Sequence, residues 1–244
     1  MKKNNLLVIV PTYNEAENIY SFINLILKKD LDLLIIDDNS PDNTGKIVNE
    51  LIKSFPNLYK IDRTKKLGLG TAYKEGFKWG INNDYSHIVT MDADFSHRFD
   101  DLDNLIAELN TADLILGSRY VLSGGSEGWD WKRKLLSLFA NKVSKAIIGT
   151  KLNDLTTGFR IYNTSALKTT KFDNVSTDGY AFQIEMVYLF LDNRKLIKEV
   201  PIIFEERRLG KSKMSNRIIF EALILLFRFL IIRFKNFLFS ANNL

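Results

Sequence analysis

Residues 31–44 read "LDLLIIDDNSPDNT": an apolar run that breaks directly into a cluster of acids, Ser, Asn and Pro. A buried strand ending in a polar loop has this form, and it recurs. "LLVIV" (6–10) runs into "PTYNE", "HIVTM" (87–91) into "DADFSH", and "ADLILG" (112–117) into "SRY". Helical patterns lie between the runs. "NEAENIYSFINLILKK" has apolar residues at 19, 22, 23, 26 and 27. "SPDNTGKIVNELIKSF" offers Ser40 as a cap and Pro41 as a first helical residue. A third helix is expected from about Gly70 to Trp79, after "NLYKID", and a fourth near 100–110. Strand and helix alternating in this way predict an α/β fold with a mostly parallel, doubly wound sheet flanked by helices.

In such a sheet the carboxyl ends of the strands face one crevice, where ligands bind. The four polar clusters would then share one edge, and Asp37, Asp38, Asp92 and Asp94 would converge. Two unit charges 5 Å apart repel by roughly 3 kcal/mol at an effective dielectric of 20. Four such acids need a cation, a proton or a donor-rich ligand. An oxygen-only ligand set suits Mg²⁺ or Mn²⁺, with phosphates completing the shell. His87 and His97 are the only histidines and lack ligand spacing, so each reads as a local hydrogen-bonding group rather than a zinc ligand.

Composition removes several classes. With no cysteine in 244 residues there is neither a disulfide framework nor a thiolate metal site. The N-terminal apolar run is broken at Pro11 and reads as a first strand, not a signal peptide. "GLGTAY" (68–73) has Tyr where a dinucleotide fingerprint needs its last Gly, and no phosphate-binding P-loop pattern is present. The net charge of +5 is local: Arg207 to Lys235 holds eight basic residues and one acid. Those basic residues are interleaved with bulky aliphatics, which argues against nucleic acid as a partner.

Ten blocks occur in order: "PTYNEAENI", "IIDDNSPDNT", "GLGTAY", "MDADFSH", "GSRY", "WDWKRKLLSLFAN", "DLTTGFRIY", "GYAFQIEM", "EVPIIFEER" and "GKSKM". Together they resemble the dolichyl-phosphate (polyprenyl-phosphate) mannosyltransferases, inverting glycosyltransferases of GT-A fold, over about residues 6–217. The resemblance implies transfer of mannose from GDP-mannose to a polyprenyl (dolichyl) phosphate at the cytoplasmic face of a membrane, with a divalent cation. It places Pro11, Tyr13, Glu15, Ile36 and Asp38 at the guanosine end of the donor and Ala93 against the nucleotide. Asp92 and Asp94 are the implied metal acids, with Ser96 at a third ligand position that some relatives fill with Gln. Arg207 and Lys213 would close over the diphosphate, and Arg119 and Arg133 would grip the acceptor phosphate. Asp94, Arg119 and Arg133 would carry the chemistry. Arg98 and Phe99 stand where relatives usually have two prolines. A polyprenyl-phosphate glucosyltransferase using UDP-glucose and a nucleotidyltransferase of similar fold are the alternatives.

The chain divides by pattern into a catalytic domain (1–213) and a C-terminal segment (214–244). Within the latter, 217–239 is long enough as a helix to span a bilayer core of roughly 30 Å. Its charges fall mostly on one stripe, however, and predict an amphipathic helix lying in an anionic membrane surface. A helix packed back on the domain is another arrangement. A third is a face covered by a small membrane partner subunit or by self-association. "GGSEGWDWKRK" (124–134) reads as a loop beside the site, with Trp129 and Trp131 either touching lipid or anchoring the core.

Overall fold

The protein is described by a computed structural model covering residues 5–206, 224, 225 and 227–231. The first four strands are β1 (Leu6–Thr12), β2 (Asp32–Asp37), β3 (Leu58–Asp62) and β4 (His87–Thr90). They are joined by α1 (Ala16–Leu27), α2 (Thr44–Ile52) and α3 (Leu69–Asn82). Then come α4 (Phe99–Ile106), β5 (Leu114–Ser118), β6 (Gly125–Ser126) and α5 (Trp131–Ile148). The last set is β7 (Arg160–Asn163), α6 (Thr164–Thr169), α7 (Gly179–Asp192), β8 (Ile197–Pro201) and β9 (Ile203–Phe204).

The main sheet has the order β3-β2-β1-β4-β7-β5-β8, and β6 pairs with β9 separately. Every pairing is parallel except those of β7, which runs antiparallel between β4 and β5. The mostly parallel sheet is as expected; the strands after residue 117, β7 among them, are those that periodicity did not reveal. The short "RIYN" of β7 begins with a buried Arg160, whose guanidinium donates to the carbonyls of Thr157, Leu155 and Gln183.

Strand side chains alternate between two cores, as the period of two requires. Leu7, Ile9, Leu34 and Ile36 face α3 and α7, where Phe77, Phe182 and Phe190 are buried. Val8, Val10, Leu33 and Ile35 face α1, α2 and α4, represented by Phe22, Val48 and Leu102. Burial on both faces explains why these strands read as unbroken apolar runs. Gly76 permits close packing of α3, since a Cβ there would come within 2.8 Å of Ile9.

Two local expectations change. Helix α2 begins at Thr44, not Pro41: Asn43 is its N-cap residue, at a positive φ of 71°, and the Asp42 carboxylate before it accepts from the N–H groups of Thr44 and Ala16. Ser40 instead donates to Asp37 at 2.6 Å. Within 124–134, Gly125–Ser126 forms a short strand in parallel register with β9, so part of the stretch is paired rather than a free loop.

The domain boundary at 213/214 lies outside the described residues, as does most of 217–239. Residues 224, 225 and 227–231 are helical, with Leu225 and Phe229 buried. Phe229 stacks on Tyr188 of α7 at 4.3 Å, so this part of the segment packs against the domain. Among the described residues no helix is long and apolar enough to cross a membrane.

Candidate active site

Strands β1, β2, β4 and β5 point the same way, so the loops that follow them share one edge of the sheet. After β4 the chain forms the Asp92–His97 loop, with Phe95 turning it through a positive φ of 63°. Asp94 folds back on itself: its Oδ1 accepts from the Ser96 N–H at 3.1 Å and the Ser96 hydroxyl at 2.6 Å. Asp94 and Ser96 are both buried. The Ser96 hydroxyl, expected as a metal ligand, thus spends its proton on orienting Asp94.

His97 Nδ1 accepts from the backbone N–H of Asp92 at 3.1 Å. A backbone N–H can only donate, so the imidazole is the neutral Nε2–H tautomer. Burial pushes its pKa down to about 4, which keeps it neutral. The ring stacks on Phe159 at 4.7 Å and meets Phe204 edge-on at 5.4 Å.

Two polar atoms beside this loop lack hydrogen-bond partners although buried: Tyr73 Oη and Gln183 Oε1. A Cβ on Gly158 would lie 3.9 Å from that hydroxyl, 3.7 Å from Gln183 Nε2 and 4.0 Å from Asp92 Oδ1. Burial, followed by the negative charge of Asp92, pushes the Tyr73 phenol well above its usual value, so it remains a donor. Neither residue was expected at the site, although Tyr73 closes "GLGTAY" and Gln183 lies within "GYAFQIEM". An all-oxygen set centred on Asp92 and Asp94, with unpartnered polar atoms alongside, fits a hard divalent cation that also takes ligands from phosphate.

The four-carboxylate convergence does not occur. Among the described residues no three His, Asp or Glu side chains gather as a metal site. Asp37 is committed to Thr12 Oγ1 at 2.9 Å and to Ser40. Asp38 pairs with Arg63 at 2.7 Å and accepts from the N–H groups of Leu67 and Gly68. Burial raises the Asp38 pKa despite that arginine. Near it, Pro11 and Ile36 are register neighbours across β1 and β2. Lys66 lies 4.1 Å above the Tyr13 ring, and the Glu15 N–H donates to Thr44 Oγ1. The five residues expected at the nucleotide end therefore lie on the β1–β2 edge. Ala93 is buried in the Asp92–His97 loop.

Arg119 is only 5% exposed. Its Nε and Nη2 meet the two oxygens of Asp154 at 2.7 Å each, and Nη2 also reaches Thr156. Burial alone would raise the Asp154 pKa, but the Arg119 guanidinium holds it below its usual value. Arg133, in the first turn of α5, is more accessible. Both guanidinium carbons lie over the Trp129 ring, at 5.2 Å for Arg119 and 4.1 Å for Arg133. Trp129 in turn meets Phe204 edge-on at 5.2 Å. A run of rings, His97–Phe204–Trp129, thus links the Asp92 loop to both arginines. Arg98 supports the same region by bonding Glu205 and Glu127 at 2.6 Å each. Arg207 and Lys213 lie outside the described residues.

Comparison with known proteins gives a consistent result. Residues 7–170 match the family described as Glycosyl transferase family 2. A polyprenol monophosphomannose synthase of Mycolicibacterium smegmatis is 41% identical over 221 residues, covering 89% of this chain and 83% of that protein. An undecaprenyl-phosphate mannosyltransferase of Micrococcus luteus is 38% identical, covering 90% and 91%. Among solved structures, glucosyl-3-phosphoglycerate synthase of Mycobacterium tuberculosis, in complex with Mn²⁺, UDP and glucosyl-3-phosphoglycerate, superposes with a TM-score of 0.64. It is 18% identical, with 92% of this chain and 80% of that one covered. A mannosyltransferase of Pyrobaculum calidifontis, in complex with GDP-Man and Mn²⁺, gives 0.55 at 19% identity, covering 85% and 58%.

Proposed function

This chain belongs to glycosyl transferase family 2, and from that premise we propose that it transfers mannose from GDP-mannose to the phosphate of a polyprenyl phosphate with inversion, using a divalent cation. What carries the reading is the link through His97, Phe204 and Trp129 between the Asp92 loop and the two arginines. It puts an anion-repelling and an anion-attracting group on one rigid support. The mannosyl-transferring relatives give the sugar and acceptor class.

Asp92 and Asp94 repel a diphosphate unless a divalent cation, Mg²⁺ or Mn²⁺, joins them. When bound, that ion offsets charge on the departing nucleoside diphosphate. Pro11, Tyr13, Glu15, Ile36 and Asp38 hold the nucleoside, with Ala93 against it; Arg207 and Lys213 cover the diphosphate. Arg133 offers the acceptor phosphate an accessible planar fork, and Arg119 adds charge from a more buried position. An oxygen of the acceptor phosphate attacks the anomeric carbon; the bond to the diphosphate oxygen breaks, and its electron pair leaves with GDP. One displacement inverts the configuration. A phosphate monoester is already largely ionised at neutral pH, so no side chain has to remove a proton.

The test supplies labelled GDP-mannose or UDP-glucose with polyprenyl phosphate and Mg²⁺ or Mn²⁺, and extracts product into organic solvent. Label extracted from GDP-mannose only in the presence of metal is the expected result. Extraction from UDP-glucose alone, or release of inorganic diphosphate, would overturn it.

A further inference from the structure

Strand β7 runs antiparallel beside β4, with Arg160 opposite Thr90, so the residues entering β7 come up against the carboxyl end of β4. Among them is Gly158, whose carbonyl accepts from the Thr90 hydroxyl at 2.8 Å. Beyond its chain neighbours, a Cβ on Gly158 would meet nothing closer than 3.7 Å. The three nearest atoms are all polar: Gln183 Nε2 at 3.7 Å, Tyr73 Oη at 3.9 Å and Asp92 Oδ1 at 4.0 Å. The φ of Gly158 lies outside the left-handed region, so backbone conformation does not call for glycine there. Gly158 and Asp92 are half-buried, and the gap between them opens on the crevice at the strand ends.

Two of these walls carry unsatisfied atoms. Tyr73 is fully buried and Gln183 is 2% exposed, yet neither Tyr73 Oη nor Gln183 Oε1 has a hydrogen-bond partner among the described residues. Both residues are firmly held. Tyr73 stacks on Phe77 and Phe182, with centroids at 6.2 and 5.8 Å, and the Gln183 carbonyl accepts from buried Arg160 at 2.9 Å. Buried polar groups are as a rule paired, so a phenol and an amide fixed in this way call for a third group that completes them. The walls select its chemistry. The phenol O–H and the amide N–H disfavour a cation, and the Asp92 carboxylate disfavours an anion. A neutral hydroxyl donates and accepts, so it can pair with a donor and an acceptor at once.

We infer that Gly158, Tyr73 and Gln183 form a cradle for the hydroxyl groups of the sugar on the nucleotide donor, and so determine which sugar is accepted. This rests on the nucleotide-sugar donor proposed above. The sugar is bonded directly to the diphosphate, and Asp92, one of the two acids that meet the diphosphate through a cation, is also a wall of the cradle. Glycine leaves the room that a sugar ring needs. A site built to hydrogen-bond a substrate hydroxyl rejects an analogue lacking it far more strongly than an apolar pocket rejects a missing methylene.

Titrating the full chain, in the presence of Mn²⁺, with GDP and with GDP-mannose tests the cradle. In Gly158→Ala the added methyl points into it, so GDP should bind within about a factor of two of wild type while GDP-mannose weakens by about tenfold or more. Tyr73→Phe and Gln183→Leu should likewise spare GDP. A series of GDP-mannose analogues, each lacking one sugar hydroxyl, then assigns the contact. One of them should bind wild type about tenfold more weakly than GDP-mannose, and Tyr73→Phe or Gln183→Leu should abolish that difference. Three results would each overturn the inference: equal weakening of GDP and GDP-mannose in all three variants, unchanged GDP-mannose binding in all three, or additive effects of variant and missing hydroxyl throughout the series. The last would mean that these atoms hold ordered water only. If wild type binds UDP-glucose and not GDP-mannose, the donor proposed above fails, and UDP against UDP-glucose judges the cradle by the same criteria.

Discussion

The neutral imidazole of His97 holds the backbone N–H of Asp92 at 3.1 Å, so the position of the first acid in the Asp92–Asp94 pair is set by a buried ring five residues later. The same ring packs against Phe159 and Phe204 and cannot shift without disturbing both. Charging it would place a second donor against a donor.

The pKa of His97 is depressed in the fold to about 4 against an unfolded value near 6.5. Its contribution is therefore complete above pH about 6.5 and is lost as the pH falls toward about 4, up to roughly 3 kcal/mol. Denaturant unfolding at a series of pH values should show this decline, and His97→Asn should flatten it. An unchanged slope in the variant would remove His97 as its source.

Ser96→Ala removes the 2.6 Å bond that orients Asp94. Residues that orient metal ligands typically change metal affinity by about 10–100-fold when lost. Titrating donor binding with Mn²⁺ should show a midpoint raised by about tenfold in Ser96→Ala, and no metal-dependent binding in Asp94→Ala. A Ser96→Ala midpoint equal to wild type would leave Ser96 without an orienting role.

Trp129 carries both arginines on its ring. Each contact contributes about 0.5–2 kcal/mol. Trp129→Leu should raise KM for polyprenyl phosphate by about tenfold and leave the dissociation constant of GDP-mannose within a factor of two, by about the same reasoning. Equal losses for donor and acceptor would point to general unfolding of the β6–β9 arm instead.

Tyr73 buries a hydroxyl that has no hydrogen-bond partner. Leaving a buried donor unsatisfied costs about 1–3 kcal/mol, so Tyr73→Phe should keep or raise the thermal midpoint. If the hydroxyl meets the bound donor, turnover should fall in the same variant. Thermal unfolding and initial rates measured on one preparation separate the two effects, and full activity would assign the hydroxyl no part in the site.

The β1–β5 framework and the placing of Asp92, Asp94, Pro11, Ile36 and Asp38 at strand ends could be read from the chain itself. Buried parallel strands need unbroken apolar runs, and their loops need polar residues, so both leave local patterns. Membership of the family was likewise legible in the order of the blocks. Tertiary structure decided the partners. That Asp37 and Asp38 are taken up by Thr12 and Arg63 and do not join Asp92 depends on strand neighbours. So does the sharing of Trp129 by Arg119 and Arg133, and so does the place of β7 between β4 and β5, antiparallel to both. Likewise, which face of the first turns of α5 looks inward is fixed by the contacts of Ser137 and Asn141 with Tyr120, Leu155 and Thr156. Periodicity is a property of neighbours in the chain, whereas pairing is a property of neighbours in space.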